Sequence, residues 1–249
     1  MNVETHVAIG RVVSRHLHLD PCLEECFVRG LEKPDLSAGR RRRRIRRHHG
    51  VHLDIVMSII WGARRAYLAG DLEKALEALG VALHYVQDSC VVGARRRFRR
   101  IHYRVEREIA SLEIPVDAIR EGFKKAECSP LFVKTVLYSI KPSTNPVEAL
   151  RNASLYSAMI TGAVYNQSQP PQEVLEILER VKMEEAKKRR KAKRNAWISI
   201  ALLAIGLALI PAQPLISAIL LALSLILLLA TLIHRVDPQF EQLAWYGIV

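Results

Sequence analysis

An all-α fold, a multi-helix domain followed by a two-helix apolar hairpin, is what this sequence predicts. Three observations lead there: apolar residues recur at helical spacing, no stretch alternates with a period of two, and one long segment near the C-terminus carries no charge. From Thr5 to about Leu19 the apolar positions Val7, Ile9, Val12 and Val13 give a first helix. Gly30, Pro34 and Gly39 mark a loop. His52 to Ala69 reads as a helix closed by Gly70, and Asp71 caps the next one, although Lys74 in place of an acid leaves the capping box incomplete. Further helices are expected over Arg97 to Leu112, Val116 to Lys125, Pro130 to Ser139, Asn145 to Ala163 and from Pro171 to Arg190 or beyond. This organisation gives a helical domain over 1–180, a basic linker over 181–195, the apolar hairpin over 196–234 and a short tail over 235–249.

Ala196 to Ile233 contains no Asp, Glu, Lys or Arg. As one helix, Trp197 to Ile233 would be roughly 55 Å long, well beyond a hydrocarbon core of about 30 Å. Pro211-Ala-Gln-Pro214 therefore reads as a turn between two membrane spans. The run KMEEAKKRRKAKRN stands just before it, and Lys and Arg gather on the cytoplasmic side of spans, so the expectation is a two-span membrane protein with its helical domain in the cytoplasm. Trp197, Trp245 and Tyr246 are placed to sit at interface depth.

The chain of 249 residues has a net charge of +12, concentrated at Arg40 to Arg47 and Arg95 to Arg100, which suggests an anionic partner: lipid headgroups, nucleic acid or a phosphate-bearing substrate. The four cysteines do not form a disulfide framework; Cys22 and Cys26 share a helical face while Cys90 and Cys128 are isolated, which fits a reducing compartment.

Two helical pairs carry the chemistry. His84 and Asp88 lie at i and i+4, and His102 and Glu106 repeat the spacing, so each pair points from one helix face with two good zinc ligands. His84 lies in an apolar segment, V-A-L-H-Y-V, where an imidazole needs a partner; a backbone carbonyl and a metal are both open to it. His6, Asp35, and His48, His49 and His52 add candidates, with His49 favoured over His48 because Gly50 beside it lets the backbone approach closely.

The order of these residues resembles the zinc-dependent bacterial phospholipases C and the related fungal single-strand nucleases: an early His (His6), an Asp (Asp35), a His (His49), His-x-x-x-Asp (His84, Asp88) and His-x-x-x-Glu (His102, Glu106). The run A-R-R-A-Y-L-A-G-D-L-E-K-A-L-E-A-L-G-V-A-L-H-Y-V-Q-D is especially similar to the family's approach to its His-x-x-x-Asp. The motifs cover roughly residues 1 to 110. The resemblance implies an all-helical phosphodiester hydrolase holding two to three zinc ions, with His6, Asp35, His49, His84, Asp88, His102 and Glu106 as ligands. It also implies Asp88 as the bridge between ions and Asp35 as ligand or base. It departs from the family twice. No His lies within Ser89 to Ile101, where Cys90 is the one soft ligand, and nothing ahead of His6 is expected to replace the family's processed N-terminal Trp. The implied substrate is a phospholipid, favoured because the anchor lies beside lipid. A nucleic acid is the competitor, weakened by few aromatics for base stacking. A non-catalytic, metal-stabilised adaptor binding anionic membrane or RNA is the remaining alternative.

Overall fold

The computed structural model describes residues 1–38, 53–92, 99–166, 172–232 and 238–248; the Arg40 to Arg47 run, most of the second arginine run, and His48, His49 and His52 lie outside them. Among the described residues the structure is helical, with no strand. The elements are α1 (Val3–His16), α2 (Pro21–Ala38), α3 (Leu53–Leu68), α4 (Leu72–Ser89), α5 (Arg99–Ile109), α6 (Val116–Lys125), α7 (Pro130–Ser139), α8 (Pro146–Tyr165), α9 (Gln172–Leu209), α10 (Pro214–Leu232) and α11 (Pro238–Trp245). They divide into two units, one of Met1–Ser168 with Trp245–Ile248, the other spanning Gln169–Ala244.

Local chemistry sets most boundaries. The Asn2 side chain accepts from Thr5 N at 3.0 Å and starts α1. Gly70, at φ 79°, ends α3, and Asp71 caps α4 by accepting from Lys74 N at 3.2 Å. Ser129 and Asn145 cap α7 and α8, each followed by a Pro at the first helical position, where a missing N–H removes no helical bond.

The largest departure from expectation is α2. Gly30 and Pro34 are not a loop; both lie inside a helix running to Ala38, and Asp35 is therefore a helical residue. Gly30 serves a close helix crossing rather than a turn. A Cβ on Gly30 would collide with the Glu77 backbone, and one on Gly80 with the Phe27 carbonyl and Leu31 N, so α2 and α4 approach backbone to backbone. Gly80→Ala should accordingly destabilise the fold by about 1–3 kcal/mol, as overpacking does. Gly62→Ala, where a Cβ meets nothing, should stabilise it by about 0.5–1 kcal/mol. Thermal melts of the two variants check the pair, and a similar effect of both would refute the crossing.

Around that crossing Phe27, Leu31, Leu76, Leu79 and Leu83 are fully buried, and α8 adds Leu150, Ala153, Ile160 and Val164 to the same core. Burial of each large side chain contributes about 1.5–3 kcal/mol. Trp245 belongs to this unit too. It is fully buried, edge-on to Trp61 with ring centroids 4.8 Å apart, and so does not lie at a membrane interface. Arg64 explains its position: the buried guanidinium donates from Nε to the Trp245 carbonyl (2.7 Å) and from Nη1 to the carbonyls of Val164 (2.6 Å) and Asn166 (3.0 Å).

The second unit is a helical pair. The basic stretch over 181–195 is not a separate linker but the middle of α9, because Lys, Arg, Ala and Glu are strong helix formers and nothing interrupts them. α9 runs on to Leu209, the chain turns with Gln213 N bonded to Leu209 O at 2.8 Å, and Pro214 opens α10. The two helices are antiparallel. The hydroxyls of Ser199 and Ser224 each donate to the other's backbone carbonyl (2.8 and 2.9 Å), and Ser217 donates to Gly206 O at 2.7 Å. Within α9, Lys182–Leu209 is the one stretch of the described residues long and apolar enough to cross a membrane; the apolar stretch Pro214–Ile226 of α10 is shorter.

Candidate metal centre

Three histidines arrive from three helices, each with Nδ1 held by an oxygen. His84 Nδ1 lies 2.9 Å from the Leu31 carbonyl, a bond that the close α2–α4 crossing makes. His102 Nδ1, on α5, lies 2.8 Å from the Val92 carbonyl. His6 Nδ1, on α1, lies 2.6 Å from Gln87 Oε1. A backbone carbonyl only accepts, so in His84 and His102 Nδ1 carries the proton and Nε2 keeps a lone pair, the arrangement of a histidine prepared for a metal.

The Nε2 atoms face carboxylates. His84 Nε2 is 3.5 Å from Asp88 Oδ2 and 3.8 Å from Asp35 Oδ1. His102 Nε2 is 3.3 Å from Glu106 Oε1. His6 Nε2 is buried, 3.3 Å from Asp88 Oδ1, and completes no hydrogen bond. His6 and His84 stack with centroids 4.2 Å apart. One ligand atom each from His6, His84 and Asp88 falls within 4.8 Å of the others, close enough to share an ion.

The α-amine of Met1 completes the cluster, against the expectation that nothing ahead of His6 would take part. It lies 2.6 Å from Asp88 Oδ1 and 3.0 Å from Glu106 Oε1. The Asn2 cap is responsible: by fixing the start of α1 it turns the preceding residue inward across Asp88. Cys90, by contrast, is a core residue. It is fully buried, its thiol is directed at Val86 O (3.4 Å), and burial pushes its pKa far up.

The charges are coupled. Burial works to raise the Asp88 carboxyl, but the Met1 ammonium against its Oδ1 works the other way, and the carboxyl lies well below the usual carboxylate range. Burial works to lower the Met1 amine, yet Asp88 and Glu106 together raise it. For His6 burial wins and its pKa is lowered, which keeps the imidazole neutral as a ligand must be. A buried imidazole nitrogen beside the Asp88 carboxylate and a second imidazole fits a bound divalent ion better than a solvated polar pocket.

Of the seven sequence-predicted ligands, the structure brings together His6, Asp35, His84, Asp88, His102 and Glu106; Asp35 stands furthest out, with its side chain 42% exposed. His49 lies outside the described residues. The Met1 amine and Gln87 carried no recognisable motif, since a chain end and a lone Gln look alike in any sequence. Comparison with family models, with curated proteins and with solved structures returned no match for this chain.

Proposed function

We propose that the helical unit holds two to three zinc ions and hydrolyses phosphodiesters, with phospholipid as substrate. The observation that carries this reading is the convergence of three Nδ1-anchored histidines on Asp88, Glu106 and Asp35. Imidazole and carboxylate are zinc's own ligand classes. In this reading Asp88 would be shared between ions. His84 and Asp35 would hold one with His49, His102 and Glu106 a second, and His6 would contribute to a third. Bound zinc would supply hydroxide near neutral pH and offset charge on the phosphate. Asp35, the most exposed carboxylate of the set, is placed to meet substrate or take a proton. Arg99 and Arg100 open α5, and the two basic runs of the sequence would attract the anionic substrate.

The membrane reading adds the substrate preference. The uncharged stretch from Ala196 to Ile233, broken at Pro211 to Pro214, supports a two-span hairpin whose ends lie on one side. The basic middle of α9 would set that side as cytoplasmic. The functional test is elemental analysis of the full chain purified in detergent, with hydrolysis of short-chain phospholipid and single-stranded DNA in competition. About two or more zinc ions per chain and chelator-sensitive lipid hydrolysis are expected. A metal-free chain after zinc loading would overturn the reading, and preferred cleavage of DNA would move the substrate to nucleic acid.

A further inference from the structure

We propose that Arg190, Lys191, Lys193 and Arg194 of α9 form a binding site for the headgroups of anionic phospholipid, on the helix face turned away from α10. This rests on the membrane reading above and goes beyond it by naming the lipid class. Seven of the eight residues from Lys187 to Arg194 are Lys or Arg, and the next acid after Glu185 is Asp237. In a helix these cations stand one turn apart, Lys187 by Lys191, Arg189 by Lys193 and Arg190 by Arg194, and like charges so placed repel. Glu184 and Glu185 stand four positions before Lys188 and Arg189. No acid stands three or four positions from Arg190, Lys191, Lys193 or Arg194. Those four carry charge that α9 itself does not balance.

The seam with α10 decides which way they face. Ala192, Ser199 and Gly206 recur every seven residues on one side of α9. Ser199 is buried against Ser224, and the Gly206 carbonyl accepts from Ser217. Ala192 is partly buried, whereas the four cations around it are exposed. At 3.6 residues per turn they fall within an arc of about 160° centred opposite the seam. Depth agrees. Arg190 to Arg194 covers about 6 Å of helix axis, and one headgroup layer is about 5–8 Å thick. Trp197, 65% exposed, follows one turn later, where the uncharged stretch has begun. At that depth guanidinium and ammonium groups meet lipid phosphate, and clustered cations favour an anionic leaflet. Cations held within the headgroup layer meet lipid before any nucleic acid.

The test uses the full chain reconstituted in phosphatidylcholine vesicles, with part of the lipid replaced by brominated phosphatidylcholine or brominated phosphatidylserine, whose acyl chains quench tryptophan on contact. Trp61 and Trp245 lie in the helical unit, so Trp197 is the reporter, and Trp197→Phe identifies its signal. At equal mole fraction, phosphatidylserine is expected to compete for the Trp197 surroundings about fivefold or more better than phosphatidylcholine, the effect of even one cation near the surface. Added salt should reduce that preference. Arg190→Gln, Lys191→Gln, Lys193→Gln and Arg194→Gln together should abolish it while quenching by phosphatidylcholine persists, which shows the spans still inserted. Lys191→Arg with Lys193→Arg should keep it. Equal quenching by both lipids in wild type overturns the site, as does a preference unchanged in the Gln variant. Equal quenching together with an RNA oligonucleotide retained by wild type and lost by the Gln variant overturns it in favour of nucleic acid. Quenching by neither lipid sinks the membrane reading itself, and the site with it.

Discussion

Asp88→Asn should abolish both metal binding and hydrolysis, the largest functional effect expected of any single change. Asp88 is where the site meets: its Oδ1 lies against the Met1 amine and His6, its Oδ2 against His84. Asn keeps the shape and removes the charge that a shared ligand supplies. Changes behind a ligand already cost about 10–100-fold in affinity, so loss of this carboxylate should cost more than about 100-fold. The metal-free chain should lose stability as well, by about 3 kcal/mol, because the buried Met1 ammonium keeps Glu106 as its remaining carboxylate partner. Zinc titration followed by mass spectrometry or calorimetry reads the first effect and a melt of the stripped chain reads the second. An Asn variant that binds zinc as wild type does would remove Asp88 from the site.

Arg64→Met should produce the largest loss of stability, about 3–5 kcal/mol. Arg64 is 2% exposed and none of its hydrogen bonds goes to a carboxylate; it is held by three carbonyls, by Cys128 Sγ at 3.4 Å, and by the Tyr67 and Trp245 rings at 5.4 and 5.6 Å. Met fills similar space but leaves those carbonyls buried without their donor, at about 1–3 kcal/mol each. Arg64→Lys should recover little, since a point-charge ammonium cannot reproduce the guanidinium fork. The effect should appear in denaturant unfolding of the full chain and as faster proteolysis near Trp245. A change below about 1 kcal/mol would show that Arg64 does not hold Trp245 and the end of α8 in the core.

Features encoded within one or two helical turns were legible in the sequence. The period of apolar residues gave the helices, Gly70 and Asp71 gave the α3–α4 boundary, and the i, i+4 pairs His84–Asp88 and His102–Glu106 gave one face each of the candidate metal centre. The family resemblance added His6 and Asp35 as candidates. The sequence misled where a residue's role depends on what packs against it. Gly30 and Pro34 carry the signature of a loop, yet Gly30 is spent on bringing two helix backbones together. Trp245 carries the signature of an interface residue, yet Arg64, 181 positions earlier, draws it into the core.

Composition and periodicity by themselves determined that this chain is helical, that it carries an uncharged apolar segment, and that two helix faces present zinc-type ligands. Tertiary structure decided which ligands meet. Met1 reaches Asp88 across 87 residues and His6 reaches Gln87 across 81, because α1 and α4 share one core. The His84 tautomer depends on Leu31, 53 residues away, through a crossing that only two glycines permit. The physical reason is one of range: hydrogen bonds along a helix repeat every three to four residues and leave a pattern in the sequence, whereas the distance between two helices is set by the side chains at their crossing and leaves none.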